Sequence, residues 1–165
     1  MGCSVSTSKY LKVSHVVTIA ENSKFHLAIQ LAKMSGFSPI IATASESNFA
    51  MIKSAGVTHP LSRNLRPAEI SASITQIVNG TSIQVVYDAV SLPDTQQLGW
   101  DILGKGGYLV IVLGDKINKG SEAEAKEKHV VNVVANVHIP QNLEFGSKLY
   151  GSISEWLESG VIQAS

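Results

Sequence analysis

Between Val16 and Ser35 the chain reads VVTIAENSKFHLAIQLAKMS, and four of its side chains, Asn22, Ser23, Lys24 and His26, are of types that hold an anion. A β-rich run, HVVTIA, precedes them, and helix-period apolar residues follow at Phe25, Ala28, Ile29 and Ala32. The four therefore fall at the opening of a helix, with Asn22 or Ser23 as its cap. Free backbone N–H groups and the positive end of the helix dipole favour negative charge there; Ser23 adds a donor, and Lys24 and His26 add charge. The anion that a strand, turn and helix of this kind takes is a dinucleotide pyrophosphate, and glycines normally let the backbone approach it. This turn has no glycine at all from Val16 to Ser35. Ala20 puts a Cβ where the turn needs freedom, and Glu21 sets a carboxylate beside the expected anion. The expectation is a nucleotide site whose affinity is weak or lost.

Other chemistries find little support. The five histidines, at 15, 26, 59, 129 and 138, show no i, i+4 pairing, so no metal ligand is named. Cys3 stands alone, which excludes a disulfide framework and a cysteine zinc cluster. There is no G-x-S-x-G elbow for a serine nucleophile. Asp88, at the end of VVYDAVS, reads as a structural strand-end carboxylate, and no catalytic residue is named. Thirteen basic and thirteen acidic side chains cancel, so nothing draws the chain to nucleic acid. With 44% apolar and 16% charged residues the composition is globular. No apolar run approaches the roughly 20 residues of a membrane span, and no signal-peptide core is present, which points to a cytoplasmic setting. The opening MGCSVS fits an acylation motif, with Gly2 for a myristoyl and Cys3 for a palmitoyl chain. A start of small residues also matches by chance, so a membrane enters only if these lipids are attached.

The elements that must position the polar residues follow from apolar patterning. Strands are expected at HVVTIA (15–20), PIIAT (39–43), VTHP (57–60), IQVVYDAV (83–90), YLVIVLG (108–114) and HVVNVVANV (129–137). Helices fall between them, including one that starts at Pro67 and one in PDTQQLGWDILGKGG, whose Gly106-Gly107 reads as a helix-ending turn into the next strand. The polar stretch DKINKGSEAEAKEKH reads as a mobile loop or a short solvated helix, and NLEFGSKLYGSISEWLESG as the last helix. Trp100 and Trp156 are expected in the core. Continuous apolar strands alternating with helices give an α/β, doubly wound parallel sheet, a Rossmann fold of about six strands in the order 3-2-1-4-5-6. Residues 1–14 are expected to be a flexible segment and 15–165 a single domain.

The blocks LAIQLAKMSGF, ATASESNF, VVYDAVS, KGGYLVIVLG and FGSKLYGSISEWLESGVI together resemble the nucleotide-binding domain of the medium-chain dehydrogenase/reductase superfamily. The nearest likeness is to its fungal enoyl reductase, quinone oxidoreductase and zinc-binding alcohol dehydrogenase-like branch. The resemblance covers roughly residues 15 to 162. It implies that the family's N-terminal catalytic domain, with its substrate groups and any zinc ligands, lies outside this chain, in a partner or a longer gene product. It places Ser45 and Asn48 at the Ser and Asn of the relatives' 2′-phosphate pocket, and Arg63 near a pocket tyrosine, where a guanidinium suits a phosphate. The end of the second strand also lacks the acidic residue that holds an NAD ribose, so NADP is the expected cofactor, with Glu46 counting against a phosphate. Ser91 falls where the nicotinamide half passes. The relatives pair through their outermost strands, which implies a homodimer along 129–137.

Two functions follow. One is a stand-alone NADP-binding-type domain, the cofactor half of an oxidoreductase that is not active alone. The other is a non-catalytic interaction protein, a dimeric pseudoenzyme, lipid-anchored if acylated, that uses the scaffold for a partner or another ligand.

Overall fold

A computed structural model describes residues 16–19, 26–134 and 136–163. Six parallel strands form one sheet in the order β3-β2-β1-β4-β5-β6. The strands are β1 (Val16–Ile19), β2 (Ile40–Ala44), β3 (His59–Ser62), β4 (Ile83–Asp88), β5 (Leu103–Ile111) and β6 (His129–Asn132). Between them run α1 (His26–Met34), α2 (Phe49–Ala55), α3 (Pro67–Val78), α4 (Pro93–Ile102) and α5 (Glu122–Glu127), and α6 (Leu143–Glu158) follows β6. This is the doubly wound order expected from the alternation of apolar strands and helices. It sets β1 and β4 side by side at the point where the winding reverses.

The sheet is covered on both faces, and alternate residues of one strand serve opposite cores. Ile41 joins Val17, Ile19, Val86, Leu109 and Ile111 under α3 (Ile70, Ile74, Val78) and α4 (Leu98, Trp100). Its neighbours Ile40, Ala42 and Ala44 turn the other way, to Ile29 of α1 and to Ile52 and Ala55 of α2. Trp100 is buried as expected, whereas Trp156 on α6 is only half-buried.

Two expectations need correction. β6 stops at Asn132 instead of reaching residue 137. After Val133 donates to the Ile111 carbonyl (2.8 Å), the Asn142 side chain donates to the carbonyls of Val134 (3.1 Å) and Asn136 (2.9 Å). Those side-chain bonds turn the backbone away from the sheet. Gly106 and Gly107 do not end α4, which stops at Ile102. They lie inside β5, where the register with β4 jumps from Ile83↔Leu103 to Val85↔Tyr108, and Gly106 has φ +72°. The extra residues loop out there, a conformation that glycine reaches without strain. The polar stretch after β5 takes the second of its two expected forms, the short solvated helix α5, whose Ser121 side chain accepts from the Glu124 N–H.

α6 returns the chain toward α1. Gly146 is its buried residue, and beyond it Ile162 is buried too. Gln163 then donates its N–H to Gln30 Oε1 (2.6 Å) and accepts from Gln30 Nε2 (3.1 Å).

Candidate nucleotide site

The carboxyl ends of β1 to β4 open onto a cavity of ≈ 230 Å³. Its walls are mostly apolar, from Ile19, Leu65, Ile70, Val90 and Leu98. Polar groups, Thr43, Arg63, Asp94 and Thr95, stand among them. It sits at the crevice where an open parallel sheet binds ligands. A larger space, ≈ 730 Å³, lies at the opposite ends of the strands, beside Leu103 and Gly104. There the charged side chains answer one another: Lys105 meets Glu127 (2.9 Å), and Lys128 donates to the Trp100 carbonyl (2.7 Å) with its ammonium 5.1 Å from the indole centre. Size alone favours that space, but its self-paired charges and its place at the wrong end of the sheet make the smaller cavity the candidate.

The β2 and β3 ends bring three of the expected residues to one corner. Ser45 follows β2 directly, Asn48 closes a single 3-10 turn before α2, and Arg63 follows β3. The Arg63 N–H donates to the Ala44 carbonyl (2.9 Å), which ties the two strand ends together. Ser45 Oγ lies 3.2 Å from Ser47 Oγ, and Asn48 makes no side-chain cap to α2. Arg63 and Glu46 are both exposed. Asn22, Ser23 and Lys24, together with Gly2 and Cys3, lie outside the described residues.

His26 stands at the first position of α1, yet it is 9% exposed and its Nδ1 lies 2.9 Å from Gln30 Nε2. Because Gln30 already presents its oxygen to Gln163, its nitrogen is the donor here and Nδ1 the acceptor. The imidazole is thus buried and built into α1 through Gln30.

Ser91 lies across β1 from the Ser45 corner, at the end of β4. It is buried with φ +54°; its hydroxyl donates to the Asp88 carbonyl (2.7 Å) and accepts from the Val112 N–H (2.8 Å). Asp88 is fully buried and accepts from the Val90 and Ser91 N–H groups (3.0 and 2.8 Å) and from Thr95 Oγ1 (2.8 Å). These bonds close the turn from β4 into α4. Beside it, burial first and the Asp88 carboxylate second raise the pKa of the Tyr87 phenol, which stays neutral near pH 7.

Sequence reasoning missed the cavity walls Thr43, Leu65, Val90, Asp94 and Thr95, and it missed Gln96. The signal for the walls was available: they are residues near strand ends or in the first turn of the helix that follows β4. Nothing marked Gln96, since a glutamine in a helix reads as solvated. Among the described residues no group of three His, Cys, Asp or Glu side chains is placed to hold a metal, and no helix is long and apolar enough to cross a membrane.

Comparison with known proteins gives these geometries a context. Residues 26–149 match the family model of the zinc-binding dehydrogenases. A trans-enoyl reductase of Penicillium crustosum is 30% identical over 106 residues, 58% of this chain and 28% of the relative. The quinone oxidoreductase of Escherichia coli, solved with NADPH, superposes with a TM-score of 0.74 at 19% identity, over 93% of this chain and 48% of that one. A mycobacterial protein solved with NADPH gives 0.77 at 18% identity, over 98% and 51%. At such identities the structural likeness speaks for the fold. The chain spans about half the length of these solved structures and under a third of the curated relative.

Proposed function

The chain belongs to the zinc-binding dehydrogenase family, and from that premise we propose that it is the cofactor half of an NADPH-dependent reductase acting on enoyl or quinone substrates. The observation that carries this reading is the apolar cavity over β1 to β4 with Arg63 in its wall. A flat purine suits a mostly apolar slot with a few polar groups around it. Ser45, Asn48 and Arg63, gathered at the adjoining strand ends, are donors suited to a ribose 2′-phosphate, and a guanidinium meets phosphate oxygens in a two-point fork. Asn22, Ser23 and Lys24 would take the pyrophosphate at the start of α1, with an affinity weakened by the missing glycines. When bound, the cofactor supplies a hydride, and this chain's part is to hold and orient it while a second domain, from a partner or a longer protein, holds the substrate. Zinc finds no fitting donor set among the described residues, and no step is assigned to it.

Calorimetric titration with NADPH and NADH tests this. NADPH should bind the more tightly, and Arg63→Ala should weaken it about tenfold, the loss of one or more charge-assisted hydrogen bonds, while leaving NADH unchanged. Equal affinity for both cofactors, or no heat with either at millimolar concentration, would overturn the reading.

A second reading is favoured by exposed Val131, Val133 and Val134 at the β6 edge: the chain pairs with a second copy there and works as an interaction module.

A further inference from the structure

Two adjacent glutamines on α4 hold the segment that leaves β5. Gln96 is fully buried; its Nε2 donates to the carbonyls of Ser91 (2.9 Å) and Gly114 (3.0 Å), and its Oε1 accepts from the Lys116 N–H (2.8 Å). Gln97 repeats the pattern one step along, accepting from the Asn118 N–H (3.0 Å) and donating to the Asn118 carbonyl (3.3 Å) and to Asp101 Oδ1 (2.8 Å). A primary amide offers a C=O and an N–H in one plane, as a peptide unit does. Residues 114–118, which belong to no helix or strand, therefore gain from α4 the bonds that a neighbouring strand would give.

The segment begins at the carboxyl end of β5, beside Ser91 and the end of β4. In a doubly wound sheet the two mononucleotide halves of a dinucleotide lie over the two halves of the sheet. The cavity over β1 to β4 suits the adenosine half, which leaves the ends of β4 and β5 for the other. We propose that Gln96, seconded by Gln97, is a positioning residue for the nicotinamide half of the cofactor, because the two fix the backbone of residues 114–118 that would meet that ring. The inference rests on the cofactor reading above. A fixed wall costs no ordering when the ligand arrives, whereas a loose one does.

The test compares a whole cofactor with its adenosine half, by calorimetric titration of NADPH and of 2′,5′-ADP. Wild-type protein should bind NADPH more tightly than 2′,5′-ADP. Gln96→Met should weaken NADPH about tenfold and leave 2′,5′-ADP within about twofold, with faster hydrogen exchange at Lys116 and unchanged protection at Val86 and Leu109. If Gln96→Met fails to fold, Gln97→Ala carries the same comparison, with an expected loss of about threefold for NADPH alone. Equal losses for both ligands, or wild-type protein that binds them equally, would overturn the inference and leave the cofactor reading standing. Wild-type protein that binds neither would overturn both.

Discussion

Asp88 is a buried carboxylate that ties the Val90, Ser91 and Thr95 donors together, and its chemistry is that of a knot. A carboxyl group with no solvent contact survives only if its oxygens are satisfied, and Val90, Ser91 and Thr95 donate to them. At the surface the same chemistry caps helices. The Glu124 carboxylate is held below its ordinary pKa, first by the Ser121 N–H, then by its hydroxyl. A depressed acid contributes its stability above the ordinary value of about 4.3, and that contribution fades as pH falls through the lower, folded value. Acidification below about pH 4 should therefore fray α5 before the sheet melts. Amide shifts of Ser121 and Glu124 should move while those of Leu109 and Ile111 hold; simultaneous movement of all four would contradict the ordering. At this scale legibility in the sequence was uneven. The place of Asp88 at a strand end was readable from the apolar run before it, and that of Arg63 only through the family resemblance. Gln96 was not, since its burial depends on where residues 114–118 return, and His26 looked like an exposed cation because its partner Gln30 is itself fixed by a residue 133 positions away.

Helices here are placed by the side chains they lack. Gly99 lets α4 lie against β4 and β5: a Cβ there would stand 2.8 Å from Leu109 Cδ1 and 3.2 Å from Val86 Cγ1. On α6 the same residue type has opposite meanings. A Cβ at Gly146 would meet Val137 Cβ at 2.9 Å, whereas nothing lies within 4 Å of one at Gly151. Gly151→Ala should gain the helix-propensity difference, about 1 kcal/mol, and Gly146→Ala should lose about 1 kcal/mol or more to overpacking despite the same propensity gain. Urea melts of the two variants check the pair, and equal shifts would show that space at α6 is not what decides. Patterning found the elements themselves because β1, β2 and β4 are continuous apolar runs. Their ends were harder: β6 has the β-branched sequence to run on, but Asn142, ten residues past its last residue, claims the carbonyls of Val134 and Asn136.

Among the described residues β6 is an edge strand of the sheet, and β5 with β6 presents a stacked Tyr108–His129 pair (centroids 4.7 Å) next to exposed Val131. Light scattering at micromolar concentration should give twice the 17.6 kDa chain mass, and Val131→Lys should return it to one chain; a single-chain mass in the unmodified protein would remove the pairing. The cavity has a different dependence on the whole. Its walls come from β1 and β2, from the segments after β3 and β4, and from α3 and α4, so they belong to both windings of the chain. Neither winding alone can make it. A molecule that fits it therefore binds the finished domain and no partial one, and the linkage runs both ways. At a hundred times its dissociation constant such a molecule would add about 2.7 kcal/mol to stability, enough to shift a marginal population of newly made chains toward the folded form. The supply of that small molecule would then set how long each chain survives proteolysis in the cell.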